Sequence, residues 1–415
     1  MLLQTILNDC HGMAYFKYSA EKLDRENKRI EIQLESKNSA KARCSLCQSR
    51  CPVYDHQKER WFKFVPLWGY EANITYKPRR VSCKNHGVII EWMPWAIGKR
   101  PVCKSYALFL AKWAKLLSWS DVGRAFKTSW DIVYVSVKYV VDYGLKNRCL
   151  DKIEQIGIDE ILFRRGLRFV TLVFEITAGS KRLLWIGKDR KAKTLLEFFK
   201  LLGKSRYQKI TAVSSDMWKA YLKVVKKKLP NAIHILDRFH IMKKFNEAID
   251  QMRRIEFKSL KEQNQEKILI NSRWALLKKV ENLTEKQSLK LKDLVKSNLK
   301  TYKAYLIRES FQRFWNLPTR KTAQIFMTIW IQMVNRTKIE PMKKVAKTLS
   351  NHQELILNWF DVSPRISNGT VEGFNNKVKL VMRRAYGFSS FQALEVALYH
   401  TLGGLPEPPS THSFF

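Results

Sequence analysis

The sequence predicts a multidomain α/β protein in which a segment of strands and helices is followed by a long all-helical segment and preceded by a small β module. The chain has 415 residues, which is too long for one compact core. Residues 1–100 contain runs of alternating polarity, Arg29–Glu35 and Glu71–Tyr76, that predict strands. Strand-like and helix-like runs alternate over residues 151–240, whereas residues 241–360 have the periodicity of long, basic, amphipathic helices.

Net charge is the most unusual property of the composition. The chain contains 76 Lys+Arg against 37 Asp+Glu, a formal charge of +39. Such an excess indicates a polyanionic partner, most commonly nucleic acid. A ribosomal or merely basic soluble protein is the alternative, but 13 Trp and 22 Phe indicate sizeable cores rather than a basic tail.

A membrane location is not expected. The long uncharged run Thr322–Asn335 has 14 residues, fewer than the roughly 18 that a spanning helix needs. Asp9 and His11 interrupt the apolar start, which argues against a signal peptide. Together with the positive charge, this predicts a cytoplasmic, nucleoid-associated protein.

Two close pairs of potential metal ligands stand in the N-terminal module. Cys44 and Cys47 are separated by two residues, and Cys83 and His86 repeat this spacing further along the chain. Zinc prefers four tetrahedral soft ligands, and two tight turns can supply them while stabilising a module with a small core. We predict a structural Zn²⁺ held by these four residues; scattered cytoplasmic cysteines are the alternative, and Cys51 could compete as a ligand.

The sequence pattern of residues 102–147 predicts helices. Ser120–Phe126 and Asp131–Lys138 have the spacing of two helices joined by a short turn. This is typical of a helix-turn-helix, although a plain helical hairpin fits equally well.

The central segment has the element order of a ribonuclease H-like sheet: three strands, helix, strand, helix, strand. The predicted elements are strands Ile153–Ile161, Arg168–Ile176 and Arg182–Ile186, helix Lys193–Leu202, strand Lys209–Asp216, helix Trp218–Lys228 and strand Ala232–Leu236. In the helices that follow, Ile241, Phe245, Ile249 and Met252 form an apolar stripe, and Thr284 with Gln287 predicts a capping box.

Three carboxylates are candidates for metal ligands. Asp159 and Asp216 stand at the ends of apolar strand runs, where a rigid core strand can hold a metal ligand in place. Glu160 directly follows Asp159, so its side chain is expected to face the opposite side of the strand. Glu372 lies in a predicted helix in which Asn376 follows one turn later, so one face can present both to DNA. Four cations of this segment are candidate contacts to the phosphate backbone: Lys377, Lys379, Arg383 and Arg384.

Several motifs, taken in order, resemble the transposases of the bacterial ISL3 insertion-sequence family over nearly the whole chain. They are the Cys44/Cys47 and Arg79–Cys83 knuckle, Ile158–Glu160, Ser215–Trp218, Asp237–His240, Ser367–Lys377 and Arg383–Phe388.

The resemblance implies that Asp159, Asp216 and Glu372 are a DDE triad. It also implies that Asp237 and His240 are accessory residues that organise the site or the DNA. Such enzymes have an N-terminal zinc module, a helix-turn-helix segment and a ribonuclease H-like core with a helical insertion. His86 stands where the family leads us to expect a cysteine, so the identity of one zinc ligand is open.

The predicted function is transposition: binding of the element's terminal inverted repeats, cleavage of the ends, and joining of the 3′-hydroxyls to target DNA. This phosphoryl transfer uses two Mg²⁺ ions, or Mn²⁺ in their place, held by the three carboxylates. Because two ends must be paired, a homodimer or higher oligomer is expected on double-stranded DNA. The alternatives are an inactive or domesticated DNA-binding regulator and a nuclease that does not join strands.

The predicted domains follow the chain in order. They are a zinc-binding module (1–100), a helix-turn-helix segment (101–150), the first part of the ribonuclease H-like core (151–240), a helical insertion (241–360), the last core helix with Glu372 (361–400) and a C-terminal tail (401–415).

Overall fold

The computed structural model of the chain has a mixed α/β architecture. The structure describes residues 3–164, 168–177, 179–278, 280–297, 299–362 and 368–409. These form two compact units: residues 150–377 make up one, and residues before 150 combine with those after 377 in the other. The predicted domain limits stay predictions.

Twelve strands are found in the described residues. They are β1 (Phe16–Asp24), β2 (Arg29–Ser36), β3 (Val53–His56), β4 (Arg60–Lys63), β5 (Glu71–Tyr76), β6 (Arg79–Cys83), β7 (Gly87–Ile90), β8 (Gln155–Arg164), β9 (Arg168–Glu175), β10 (Arg182–Lys188), β11 (Ala212–Ser215) and β12 (Ile233–Leu236).

Sixteen α-helices are found in the same residues. They are α1 (Leu3–Cys10), α2 (Lys104–Ala114), α3 (Trp119–Ala125), α4 (Trp130–Asn147), α5 (Ala192–Leu202), α6 (Lys204–Tyr207), α7 (Lys219–Lys228), α8 (Arg238–Glu262), α9 (Arg273–Leu277), α10 (Glu285–Val295), α11 (Lys300–Gln312), α12 (Arg320–Asn335), α13 (Glu340–Asn351), α14 (Gln353–Leu357), α15 (Asn368–Arg384) and α16 (Phe391–Leu402). Short 3₁₀ turns cover Glu266–Ile268, Val280–Asn282, Arg313–Asn316 and Asn358–Phe360.

The N-terminal module contains two small sheets, of order β1-β2-β5-β4 and β3-β6-β7. The two predicted runs of alternating polarity are confirmed as β2 and β5, which pair in parallel. In β2, Ile30, Ile32 and Leu34 are buried while their neighbours along the strand are exposed, because successive side chains point to opposite faces.

The helical segment after this module contains the predicted pair of helices with a short turn, α3 and α4. Ser118 and Ser129 cap the two helices, accepting hydrogen bonds from the backbone of Asp121 and Ile132. A Cβ atom at Gly123 would lie 2.8 Å from the carbonyl oxygen of Thr128, so the turn can approach α3 only at a glycine. The geometry suits either predicted alternative, and DNA binding by this pair stays a prediction.

A five-stranded sheet of order β10-β9-β8-β11-β12 organises the second unit. Strands β8, β9 and β10 are antiparallel neighbours, whereas β11 runs parallel to both β8 and β12. The seven predicted elements are confirmed in their order. Strand β11 begins later than predicted, because Lys209 and Ile210 close turns onto Arg206 and Tyr207.

The two faces of this sheet are covered by different elements. On one face, Ile156 and Ile158 of β8 pack into an apolar core with α5 and α7. On the other face, the rings of Phe174 in β9 and Phe374 in α15 stack with centroids 4.3 Å apart. Alternate residues of β8 therefore face α5 and α7 or face α15.

The segment between β12 and α15 is all-helical, as predicted. Ile241, Phe245, Ile249 and Met252 form a buried stripe on α8. The capping box at the start of α10 is also confirmed: Thr284 accepts a hydrogen bond from the backbone of Gln287, whose side chain accepts one in return.

Helix α16 was not predicted; it lies in the segment assigned to the last core helix. Within the described ranges, no helix is both long and apolar enough to cross a membrane.

Candidate active site and metal-binding cluster

Three aspartates lie level with one another on neighbouring strands of the second unit. Asp159 is in β8, Asp216 follows β11 and Asp237 follows β12. The parallel register pairs Ile158 with Ser215 and Ser215 with Leu236, so the three carboxylates leave the sheet side by side. Asp159 and Asp237 are buried, at 2% and 8% exposure.

Asp159 is the centre of a polar cluster. Its Oδ1 accepts a hydrogen bond from the backbone N–H of Glu160 (2.7 Å) and lies 3.5 Å from Nε2 of His240. Its Oδ2 accepts a hydrogen bond from the side-chain amide of Asn375 in α15. Potential ligand atoms of Asp159, Asp237 and His240 all lie within 4.8 Å of one another. The structure thus brings one predicted catalytic residue together with both residues of the accessory pair.

Asp216 lies beside this cluster but is turned toward its own loop. Its Oδ1 accepts a hydrogen bond from the backbone N–H of Trp218 (3.0 Å). Burial is the main cause that raises the pKa of Asp216 to about 6, with smaller contributions from the charges of Glu160 and Asp159. The Trp218 hydrogen bond and the charge of His240 act in the opposite direction.

His240 is the imidazole partner of these carboxylates. Burial alone would lower its pKa, but the hydrogen bond and charge of Asp159, with the charges of Asp237 and Asp216, outweigh burial and raise the pKa. His240 therefore holds its proton more tightly than an ordinary histidine.

Helix α15 carries the third predicted carboxylate, Glu372, whose side chain lies outside the described part of the structure. Asn375 donates to Asp159, whereas Asn376, the predicted accessory residue, is exposed. Sequence reasoning missed Asn375, although it stands three positions after Glu372, a spacing of neighbours on one helix face. Phe374, Val378 and Val381 are the buried apolar side chains of α15 among its described residues.

The four predicted DNA-binding cations differ in exposure. Lys377, Lys379 and Arg383 are exposed. Arg384 is half-buried and donates a hydrogen bond to the carbonyl oxygen of Lys115 (2.6 Å). Their contact with DNA stays a prediction.

Four potential metal ligands converge in the N-terminal module: Cys44, Cys47, Cys83 and His86. The Sγ atoms of Cys47 and Cys83 are 3.7 Å apart, and Nδ1 of His86 is 3.6 Å from the Sγ atoms of both Cys44 and Cys83. Cys51, the possible competitor, lies outside this group and donates to the carbonyl oxygen of Ser49.

The backbone places these four ligands. Cys44 forms a bridge with Glu91, and the N–H of Gln48 closes a turn onto its carbonyl oxygen. Cys83 ends β6, and the N–H of His86 closes a second turn onto it (3.3 Å). The buried carboxylate of Glu91 accepts hydrogen bonds from Tyr76 and Arg79, which ties the first turn to the sheets.

The raised pKa of Asp216 predicts a stability effect of replacing it. Without added magnesium, the Asp216→Asn protein should be more stable than the wild type by about 1–3 kcal/mol at pH 8, because no desolvated charge remains. The difference should shrink as pH falls from 6 to 4, because the folded wild type then binds a proton that the unfolded chain binds less tightly. Urea unfolding across this pH range measures it, and equal stability at every pH would contradict it.

A family model described as a transposase, of the ISL3 group of DDE transposases, matches residues 156–398, more than half of the chain. The match covers nearly all of the five-stranded sheet, the helical segment, α15 and most of α16.

Two curated proteins are similar over most of their length. The transposase for insertion sequence element IS1001 of Bordetella parapertussis is 26% identical over 348 residues, which is 83% of this chain and 85% of that protein. The transposase for insertion sequence element IS1557 of Mycobacterium tuberculosis is 28% identical over 412 residues, 93% of this chain and 91% of that protein.

Proposed function

The chain belongs to the ISL3 family of DDE transposases, and on that premise we propose that it cuts and joins DNA at the ends of an insertion element. It binds the terminal inverted repeats, cleaves the ends and joins the freed 3′-hydroxyls to target DNA. The observation that carries the proposal is the cluster of Asp159, Asp237 and His240, with Asp216 beside it at the end of β11.

The catalytic core of this proposal is a ribonuclease H-like domain. In support, three antiparallel strands are followed by two parallel ones in the order β10-β9-β8-β11-β12, with helices on both faces. Residues 241–360 are then an insertion between β12 and α15.

The carboxylates of Asp159, Asp216 and Glu372 are the proposed ligands of two Mg²⁺ ions, for which Mn²⁺ can substitute. Their oxygen donors suit a hard cation. Asp159 clusters with Asp237 and His240. Asp216 lies close enough to interact with the charges of Asp159 and His240. When bound, the ions activate the attacking oxygen and stabilise the leaving oxygen at phosphorus. Glu372 stands one helical turn before Asn375, which contacts Asp159, and this spacing supports its assignment.

The surrounding side chains orient these ligands. Asn375 and His240 contact different oxygens of Asp159 and so restrict rotation of its carboxylate. Asp237 caps the first turn of α8, accepting from the N–H of Phe239 (2.8 Å), and thereby fixes the turn that carries His240. The accessory pair thus acts as positioning residues.

Double-stranded DNA is the proposed partner, in the form of the element's ends and the target. The charge of +39 supplies sequence-independent attraction, and α3 with α4 supplies a candidate reading unit. The exposed cations of α15, Lys377, Lys379 and Arg383, are further proposed contacts to the phosphate backbone of DNA. Pairing of two ends requires at least a dimer of the chain.

A structural Zn²⁺ is proposed for the N-terminal cluster. Zn–S bonds of about 2.3 Å in a tetrahedron place two sulfurs about 3.8 Å apart. The separation of 3.7 Å between Cys47 and Cys83 agrees with this geometry. The ion would be held by Cys44, Cys47, Cys83 and His86.

The test is a cleavage assay on duplexes that carry the inverted repeats flanking the gene. With Mg²⁺ the protein should cut at the element's ends and yield DNA joined to a second duplex, and with a chelator it should do neither. An inactive regulator would bind these duplexes and leave them intact. A nuclease would cut them without producing joined DNA.

A further inference from the structure

Two exposed aromatic rings stand at equivalent positions beside the carboxylates. Trp218 follows Asp216 by two residues, and Phe239 follows Asp237 by two residues. In each case the aspartate's Oδ1 accepts a hydrogen bond from the backbone N–H of the aromatic residue. Because β11 and β12 are parallel and in register, both rings lie at the same edge of the sheet, 39% and 46% exposed.

Trp218 is held rigidly although it is exposed. Its indole N–H donates to the carbonyl oxygen of Arg190 (2.9 Å), and the guanidinium carbon of Arg190 lies 4.5 Å from the Trp218 ring centroid. The same guanidinium lies 4.0 Å from the ring centroid of Phe169 and pairs with Glu160 at 3.1 Å. Asp189, just before Arg190, has a φ of 100°, a conformation that a non-glycine residue adopts only where its surroundings enforce it.

A fixed, exposed indole backed by an arginine is a surface on which a nucleobase can stack. Aromatic rings with adjacent cations bind unpaired bases in this way, without reading their sequence. Within a duplex both faces of a base are covered by its neighbours, so only a base that has left the stack can use this surface. The carboxylate of Asp216, a proposed metal ligand, accepts a hydrogen bond from the backbone N–H of Trp218. A base stacked on Trp218 would therefore lie beside the phosphate that is cut.

We propose that Trp218, supported by Phe239, binds a base displaced from the duplex next to the cleavage point. The proposal rests on the proposed function and adds a ligand to that site: an unpaired nucleobase of the DNA end. Glu160 and Arg190 act as positioning residues that hold the indole at the edge of the site. Displacement of the base frees the backbone at the adjacent phosphate, which can then reach the carboxylates.

The test compares cleavage of a fully paired end duplex with cleavage of one mismatched at the base pairs next to the cut. Trp218→Ala should slow cleavage of the paired duplex by roughly tenfold or more, the effect of losing one stacked base. The mismatched duplex should restore most of the rate, because its base is already unpaired. Trp218→Phe should retain more activity than alanine, because a phenyl ring still stacks.

Trp274→Ala is the matched control, because Trp274 is also an exposed indole with an arginine guanidinium, that of Arg273, 5.1 Å from its ring centroid. It should cut both duplexes at the wild-type rate. A second readout needs no cleavage: in Ca²⁺ complexes, a thymine beside the cut should react with permanganate when wild-type protein is bound and not with Trp218→Ala.

An equal Trp218→Ala defect on paired and mismatched duplexes, or equal permanganate reactivity of the two complexes, would overturn the inference. A phenylalanine variant as slow as the alanine variant would also overturn it. That result would mean that Trp218 acts through the hydrogen bond from its indole N–H to Arg190 and not by stacking on a base. If the wild type cut neither duplex, the proposed function itself would fail, and the permanganate result would still report on base displacement.

Discussion

Replacement of Asp159 by alanine should reduce both DNA cleavage and strand joining by roughly a thousandfold or more, because the proposed mechanism uses the same metal ligands for both steps. Asp159 is 2% exposed and in contact with His240 and Asn375, so alanine would leave both of these side chains without their carboxylate partner. Asp216→Ala and Glu372→Ala should have effects of the same size. The measurement is quantification of cut and joined products on end duplexes.

DNA affinity separates this prediction from simple unfolding. Binding of the end duplex should survive all three substitutions, because affinity comes mainly from cationic side chains. Glu197→Ala, which removes an exposed carboxylate of α5, is the control and should cut normally. Glu160→Ala is less suitable, because Glu160 holds Arg190 beside Trp218. A Glu372→Ala protein that still cuts would show that the third carboxylate has been assigned wrongly.

Loss of zinc should be the second large effect. Cys44→Ser removes one of the four proposed ligands. A structural zinc contributes about 10–16 kcal/mol in small zinc domains, as much as the whole stability of a typical domain. The N-terminal module, with its two small sheets, should therefore unfold and lose DNA-end binding. Metal analysis should fall from one Zn²⁺ per chain toward none, and limited proteolysis should cut within the module.

Cys51→Ser is the matched control for this variant. Cys51 is in the same turn-rich segment but outside the group of four, so its serine variant should keep the zinc and the fold. Loss of zinc from Cys51→Ser, or its retention by Cys44→Ser, would mean that the ligand set is wrong.

The features that the sequence determined are local or periodic. The repeated two-residue spacing of Cys44 with Cys47 and of Cys83 with His86 places ligands on tight turns, and the structure brings these four together. The order of strands and helices followed from alternating and helical periodicity, which depends on neighbours in the chain. Family membership followed from motifs whose order is itself a property of the sequence.

Only the tertiary structure decided which side chains meet at the candidate site. Asn375 contacts Asp159 across 216 residues of sequence, and Asn376 does not. One residue turns a helix by about 100°, so the docking of α15 on the sheet decides which asparagine faces the carboxylate. Arg190 contacts Trp218 and Glu160 because sheet order and strand register bring their segments together. The spacing of these segments in the sequence carries no signal of that contact.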